Sequence, residues 1–412
     1  MAYMTHFSIE ALTIGSVATG SLSYPGVVKG LLGRAGSLLL ELCLISRCAG
    51  LMIVYIIVAA DILSGNSGGL NGLLCDWFGG GQGDWCSDRR LAAGVVLVLV
   101  LIPMCSPKRL SSTAVTSWLG LCSVGVWALV TLVLAVVAAV EGKAHHMYWG
   151  PDWEELGDTT PKIATQLLAV IPIIATAYTC QMTVHHIVRE MQPFTQARVA
   201  CTSVSGVAVV HGQGVAVLLC TALFLAVALG SYAVFGSRVP ADVLENFSDS
   251  ALAPLVGPVL SKVFYTLVRL GFLISILANF PMQMWPYRES FSRVCFGRDL
   301  SGLPFYALTY LSLAAFYALG MMAGSIWVPI QLVGATAGAL IAFFFPAMVA
   351  LKACDNQEGW GSHTSTRYWK VNAWALIVLG IVQAVTGLAA VFINPSGDDK
   401  NGLGLATSGL LF

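Results

Sequence analysis

Long apolar runs recur along the whole chain, and this feature constrains its fold more than any other. Uninterrupted runs of about 18 or more apolar residues are typical of transmembrane helices. Because lipid offers the backbone no hydrogen bonds, only helices or a closed β-barrel can cross a bilayer. Barrel strands alternate apolar and polar residues with a period of two, which these runs do not. The sequence therefore predicts an all-α integral membrane protein.

Only 10% of the residues are charged, and 57% are hydrophobic. A soluble domain carries about 25% charged residues, so this chain has too few to cover a globule. The net charge is zero, which gives no reason to expect nucleic acid as a partner. No nucleophile–base set, metal-ligand spacing or phosphate-binding loop is visible. We therefore expect no enzyme, no metal site and no cofactor, with the lipid bilayer as partner and no obligate protein partner.

The apolar runs predict one transmembrane domain over residues 1–412, with about ten helical spans. Polar or Gly-rich segments separate the spans, and each is long enough to be a loop at the membrane surface. The predicted spans are residues 8–31, 36–64, 91–107, 113–140, 163–187, 203–235, 255–287, 303–322, 325–352 and 371–393.

Lysine and arginine residues indicate the orientation of these spans. If the loop 65–90 faces the outside and the loops alternate, the basic residues concentrate on the opposite, cytoplasmic face. Cys75 and Cys86 then lie in an oxidising compartment, where either a disulfide or two free thiols is compatible with the sequence. Asn246, in an Asn-Phe-Ser triplet, becomes a candidate glycosylation site on the outer face.

Two spans carry residues that interrupt a helix. Residues 15–26 of the first span combine glycines, hydroxyl side chains and Pro25, a composition that is poor for a continuous helix. One interpretation is close helix packing through small residues. The other is an unwound turn whose amides face a carboxylate and whose carbonyls face a cation. Under the second interpretation, the candidate substrate-binding residues are Ala18, Thr19, Gly20 and Ser21, and Gly15 is a candidate cation-binding residue.

The second interrupted span is 163–187. Pro172 is followed by a cluster of polar side chains that need partners or water inside a membrane. The cluster either bonds back to its own helix or lines a cavity; we expect the cavity. Its candidate substrate-binding residues are Thr176, Tyr178, Thr179 and Gln181. His185 and His186 follow at the cytoplasmic end, where we expect interfacial histidines, with a proton-sensing role as the alternative.

Further polar residues fall inside the predicted spans. Ser275 and Asn279, beside Pro281, offer oxygen atoms to a coupling cation. Glu41, Arg47 and Arg269 are charged residues at membrane depth, and each is expected to pair with another helix or to extend towards the interface.

Four motifs together resemble the amino acid/auxin permease family. Thr19–Pro25 resembles the break in the family's helix one, Pro172–Cys180 its helix six, Pro281–Ser290 its helix eight and Val333–Leu340 its helix ten. The resemblance extends over nearly the whole chain and is nearest to the sodium-coupled neutral amino acid transporters. It implies a LeuT-type bundle of inverted repeats, with the substrate between helices one, six and eight. It also implies secondary active transport of amino acids by alternating access, in the plasma membrane or a vacuolar or lysosomal membrane.

The chain departs from the family pattern at two places that bear on function. Ile14 stands where the sodium-coupled branch has an asparagine, so H⁺ becomes as plausible a coupling ion as Na⁺. Residues 33–63 resemble helix three, so helix two is expected to be absent, leaving about ten spans where the family has eleven. A gene-model or splicing error and a genuine isoform are both compatible with this gap. The alternatives to transport are therefore an amino acid sensor of transporter-like fold and an inactive isoform that lacks a core helix.

Overall fold

A computed structural model describes residues 1–65, 72–79, 84–107, 114–145, 174–190, 204–236, 247–323, 333–356 and 366–393. All regular secondary structure in these residues is helical, as the apolar runs predict. The α-helices are α1 (Ala2–Thr19), α2 (Tyr24–Ser64), α3 (Leu73–Phe78), α4 (Arg89–Val96), α5 (Ile102–Cys105), α6 (Ala114–Val140), α7 (Gln181–Glu190), α8 (Val204–Phe235), α9 (Asp249–Val256), α10 (Pro258–Phe296), α11 (Leu303–Met322), α12 (Phe345–Asn356) and α13 (Thr366–Ile393).

Among the described residues, seven helices are long and apolar enough to cross a membrane. They correspond to the predicted spans other than 8–31, 91–107 and 163–187, and the first part of the last, residues 163–173, lies outside the described residues. The seven are Tyr24–Ser64, Val115–Val140, Gly212–Phe235, Pro258–Phe296, Leu303–Met322, Gly334–Ala353 and Thr366–Ala389.

Within the predicted span 8–31 the structure forms two separate helices, so the interruption expected within residues 15–26 is present. α1 ends at Thr19, and Gly20 follows in the left-handed region at φ 64°. α2 begins at Tyr24, where the side chain of Ser23 caps its first turn. Glycine reaches this left-handed backbone without steric cost, and a serine N-cap favours a new helix. Hydropathy averaged over residues 8–31 does not resolve the four-residue connection 20–23.

α2 itself changes direction at Gly33, which has φ 80° and ψ −175° inside the helix. A side chain at that position would be strained by the backbone, so glycine is required for the bend. The bend separates the short segment 24–32 from the long segment 34–64. At about 1.5 Å of rise per residue, the second segment alone is long enough to span a bilayer.

The predicted span 91–107 is also less regular than the apolar run suggests. α4 and α5 are joined by a π-helical segment, Leu97–Leu101. Pro103 lies just after this segment and has no N–H to donate to the carbonyl one turn earlier. A π-helical turn at this point accommodates the missing hydrogen bond.

The centre of the bundle is formed by α2, α6 and α10. On α2, buried residues recur at every fourth position, which places them on one face of the helix. They share one core with Val268, Phe280 and Met284 of α10. The outer face of α6 instead exposes apolar side chains, as a lipid-facing helix does. The buried residues on α2 are Leu40, Leu44, Cys48, Met52 and Ile56.

The loop after α2 is held by a disulfide between Cys75 and Cys86, whose Cα atoms are 5.1 Å apart. Asp76, beside the first cysteine, accepts a hydrogen bond from the hydroxyl of Tyr265 on α10. Of the two outcomes left open by the sequence, the structure therefore has the disulfide. The other candidate modification site of the outer face, Asn246, lies outside the described residues.

Candidate functional site

A helix is interrupted at residues 178–180. Residues 174–177 form a helical turn, the chain leaves the helix at Tyr178, and α7 begins at Gln181. The turn is tight, because the amide of Thr179 donates to the carbonyl of Thr176 at 3.1 Å and that of Cys180 to Tyr178 at 3.1 Å. The first amides of a helix have no carbonyl one turn earlier, and they give its N-terminus a partial positive charge. The interruption therefore places a site suited to an anion beside buried residues.

The predicted residues of this interruption have partners within the protein. The hydroxyl of Tyr178 donates to Thr221 at 2.8 Å, and its ring packs edge-on against a phenylalanine of α8. The hydroxyl of Thr179 donates to the carbonyl of Ala175 at 2.9 Å. The Oγ1 atom of Thr176 lies close to the backbone at Gly334, where a Cβ would be 2.5 Å from it. The sequence reasoning left open back-bonding and cavity-lining, and Thr179 shows the first.

Gln181 connects α7 to α1. Its Nε2 donates to the hydroxyl of Ser8 at 2.8 Å, and the side chain is fully buried. Its Oε1 has no hydrogen-bond partner among the described residues. A buried amide oxygen without a partner is costly, since it gives up its hydrogen bond to water. Gln181 is thus a candidate acceptor for a donor group that the protein itself does not supply.

His185 lies one turn further along α7 and is buried, with 3% of its surface exposed. Its Nε2 and the hydroxyl of Ser16 are 2.8 Å apart, and its ring stacks on Tyr24 with centroids 5.6 Å apart. The hydroxyl of Tyr24 donates to the carbonyl of Ile341 at 2.8 Å. His185 is therefore packed between helices of the bundle, and its position at the membrane interface stays a prediction. The side chains of His186 and the rest of α7 lie outside the described residues.

The side-chain hydrogen bonds of Thr19 and Ser21 are local and do not reach the interruption at 178–180. The hydroxyl of Thr19 donates to the carbonyl of Gly15 at 2.8 Å, within its own helix. Gly20 is exposed, and the hydroxyl oxygen of Ser21 is 3.5 Å from that of Ser23. α1 reaches α7 through Ser8 and Ser16 instead, two residues that the sequence reasoning did not single out. A substrate-binding role of residues 18–21 stays a prediction.

The three candidate cation-binding residues lie at different helix interfaces. Gly15 packs closely against α2 and α12, since a Cβ there would be 2.6 Å from Val349 and 2.8 Å from Val27. Ser275 faces α6, and the amide of Asn279 donates to the carbonyl of Ser275 at 3.0 Å, one turn away. Asn279 itself is exposed. The structure therefore does not bring these three residues together around one ion.

Arg47 of α2 lies against a glycine of the π-helical segment Gly334–Gly338. It is 2% exposed, and a Cβ at Gly338 would be 2.9 Å from its Nη1. Gly338 ends this π-helical segment. The first residue of the segment, Gly334, lies against the side chain of Thr176. Nε and Nη1 of Arg47 have no hydrogen-bond partner among the described residues. The expected pairing of Arg47 with another helix is thus absent from the part of the chain that the structure describes, and its burial shows that it does not extend to the interface.

Of the other two intramembrane charges, Glu41 fits the expectation of contact with another helix, whereas the ring contact of Arg269 is within its own helix. Glu41 lies near Lys29 of α2 and near Glu289 and Arg293 of α10. Arg269 lies over the ring of Tyr265, 5.2 Å from its centroid. Glu289 and Arg293 also line a small cavity together with Ser23, Tyr24 and His185. The cavity thus borders both this ion pair and the buried histidine of α7.

Comparison with known proteins identifies the family. The sequence profile described as "transmembrane amino acid transporter protein" matches residues 1–393. Amino acid transporter AVT6E of Arabidopsis thaliana is 27% identical over 94% of this chain and 74% of its own length. Solute carrier family 38 member 8 of Homo sapiens is 24% identical, over 84% of this chain and 75% of its own. Vacuolar amino acid transporter 5 of Schizosaccharomyces pombe is 23% identical, over 73% and 62%. The chain is an integral multi-pass membrane protein that belongs to the transmembrane amino acid transporter family.

Proposed function

We propose that this chain carries neutral amino acids across the plasma membrane or a vacuolar membrane by alternating access, coupled to a cation gradient. The observation that supports it most directly is the interruption at residues 178–180, near Arg47 and next to the Oε1 atom of Gln181, which has no partner among the described residues. Discontinuous membrane helices form the binding sites of many secondary transporters. Relatives named as amino acid transporters, one of them vacuolar, support the substrate class and the membrane.

We propose H⁺ as the coupling ion. Gly15, Ser275 and Asn279, the residues expected to hold Na⁺, face different helices. His185, in contrast, lies buried between Ser16 and Tyr24 and beside the cytoplasmic cavity. Histidine is the side chain whose charge changes most readily near neutral pH, so it is suited to accept a proton from one side and release it to the other.

Proteoliposomes that contain the purified chain test this function. Uptake of radiolabelled alanine, leucine and glutamine is measured with a pH gradient, with a Na⁺ gradient, and with neither. We expect accumulation above the external concentration with the pH gradient alone, and its loss on adding a protonophore. Accumulation that requires the Na⁺ gradient would show that Na⁺, and not H⁺, is the coupling ion. Equal uptake under all three conditions would contradict cation coupling altogether.

A second candidate function is amino acid binding without transport. It is favoured by one observation: α1 is not among the helices of the described residues that are long and apolar enough to span a membrane. A bundle with an incomplete set of spans would retain the residues around 178–180. It would still fail to transport an amino acid by alternating access. Equilibrium binding of an amino acid to the purified chain, without uptake into proteoliposomes, would identify this case.

A further inference from the structure

Arg47 is a buried cation without a counter-charge among the described residues. Its guanidinium group is at membrane depth on α2, 2% exposed, with Nε and Nη1 lacking hydrogen-bond partners. A guanidinium group keeps its charge in proteins, so it cannot adapt by losing a proton. An unpaired charge in a low-dielectric interior is strongly unfavourable. Such a residue persists where it serves a ligand.

No acidic side chain of the described residues forms an ion pair with Arg47. Asp61 forms an ion pair with Arg89, with 2.7 Å between the nearest atoms. Glu289 pairs with Arg293, and Glu41 lies beside that pair, at the cytoplasmic end of α2. Since Glu41 is six residues before Arg47, the two side chains do not face each other on one helix.

The start of α7 lies beside Arg47. The thiol of Cys48, the next residue on α2, donates to the sulfur of Met182 at 3.8 Å. α7 has ten residues, so its N-terminus carries the partial positive charge of a full helix. The guanidinium group and the helix terminus thus make one positive region, for which the described residues supply no anion.

Two glycines, Gly334 and Gly338, leave space for this positive region. A side chain at Gly338 would place its Cβ 2.9 Å from Nη1 of Arg47 and displace the guanidinium group. The backbone of Gly334 makes an equally close approach to Thr176, just before the interruption. These two small residues therefore keep Arg47 and the interruption close to one another.

We propose that Arg47, together with the first amides of α7, binds a carboxylate group of the transported solute. A carboxylate can accept two parallel N–H bonds from a guanidinium group, and its charge balances the buried cation. The inference rests on the proposed function and adds to it a residue and a chemical group. The carboxylate has two possible sources, the α-carboxylate of any amino acid or the side-chain carboxylate of an acidic one.

Binding to the purified full-length chain in detergent tests this proposal without requiring transport. The probes are leucine, glutamine and glutamate, with isoamylamine as the analogue of leucine that lacks the carboxylate. If Arg47 holds the α-carboxylate, leucine binds at least about 30-fold more tightly than isoamylamine. If it holds a side-chain carboxylate, glutamate binds and glutamine, its uncharged isostere, does not. Equal affinity for leucine and isoamylamine, without preferential binding of glutamate, overturns the proposal.

Arg47→Gln and Arg47→Lys identify the residue. We expect the first to weaken binding of the preferred carboxylate probe at least about 30-fold, and the second to retain part of the affinity, since lysine keeps the charge without the planar fork. Arg288→Gln is the control, because it removes another buried guanidinium group. It should leave the affinity of the folded fraction unchanged.

The melting temperature separates a binding role of Arg47 from a structural one. Arg47→Gln should leave it unchanged or higher in the absence of solute, because the unpaired charge is gone. Unchanged affinity in Arg47→Gln, or a parallel loss of affinity and melting temperature, overturns the proposal. A chain that binds through Arg47 but accumulates no amino acid in proteoliposomes contradicts the proposed transport and leaves the carboxylate site standing.

Discussion

Arg47 and Arg288 are both buried in long helices of the bundle, with 2% and 5% of their surface exposed. Arg288 donates to the carbonyl of Cys105 at 2.9 Å and to the hydroxyl of Thr309 at 3.2 Å. Its guanidinium carbon also lies 4.4 Å from the ring centroid of Phe305. Arg47 has no such partners among the described residues. Two arginines that are buried to a similar degree thus have opposite environments.

The difference separates a structural charge from a functional one. The hydrogen bonds and ring contact of Arg288 compensate much of what its burial costs, and they join α10 to α5 and α11. The burial of Arg47 is not compensated within the described structure, so the folded state bears the cost until a ligand arrives. Removing the two arginines should therefore have opposite consequences for stability and for uptake.

The largest effect is expected from Arg47→Met, which removes the charge and keeps most of the volume. Initial uptake of amino acid into proteoliposomes should fall at least about 100-fold, because a charge-assisted interaction with a buried partner is lost. The melting temperature in the absence of solute should not fall. Uptake within a factor of two of wild type would show that the two arginines differ in partners but not in role.

Arg288→Met should produce the opposite pattern. It leaves the carbonyl of Cys105 and the hydroxyl of Thr309 without their donor, and such a loss costs about 1–3 kcal/mol for each buried group. We expect a lower melting temperature and less protein in the membrane. Uptake per folded molecule should stay near that of wild type. A selective loss of uptake at unchanged stability would make Arg288 functional as well, and the comparison would fail.

Gly338→Ala probes Arg47 without changing it. The added Cβ would be 2.9 Å from Nη1, so the guanidinium group must shift. A misplacement of this size weakens a directional contact, and we expect about a tenfold rise in the Kd for the carboxylate probe. Gly125→Ala is the matched control, because no atom lies within 4 Å of its Cβ position. Equal Kd values for the two variants would show that Arg47 has freedom to move and is not held in a built site.

The sequence could predict most of the helices because the length and hydropathy of a span are local properties. The break at 20–23 could also be predicted, because glycine and proline residues are concentrated in the stretch 15–26. It lies between α1 and α2, at the exposed residue Gly20. The interruption at 178–180 was predicted on a different ground, because polar side chains crowd a span that has little reason to hold them.

The partners of the site could not be predicted, because they depend on how distant helices pack. Gln181 and Ser8 are 173 residues apart in sequence, and His185 and Ser16 are 169 apart. Arg47 was visible as a charge inside a span, but the sequence held no sign that Gly338 would lie beside it. Whether an intramembrane arginine resembles Arg47 or Arg288 is decided by neighbours of this kind.

The smallest effect is expected from Thr309→Val, which removes one of the two acceptors of Arg288. The hydroxyl of Thr309 also donates to the carbonyl of Phe305 at 2.8 Å within its own helix, so the exchange costs that bond too. We expect a loss of about 1 kcal/mol in the free energy of unfolding, read as a small fall in melting temperature. Binding of the carboxylate probe should be unchanged. In the double variant Thr309→Val/Arg288→Met the fall should be smaller than the sum of the single ones, since both remove the same contact. Strict additivity would mean that the hydroxyl does not support Arg288, and the carbonyl of Cys105 would then be its main stabilising partner.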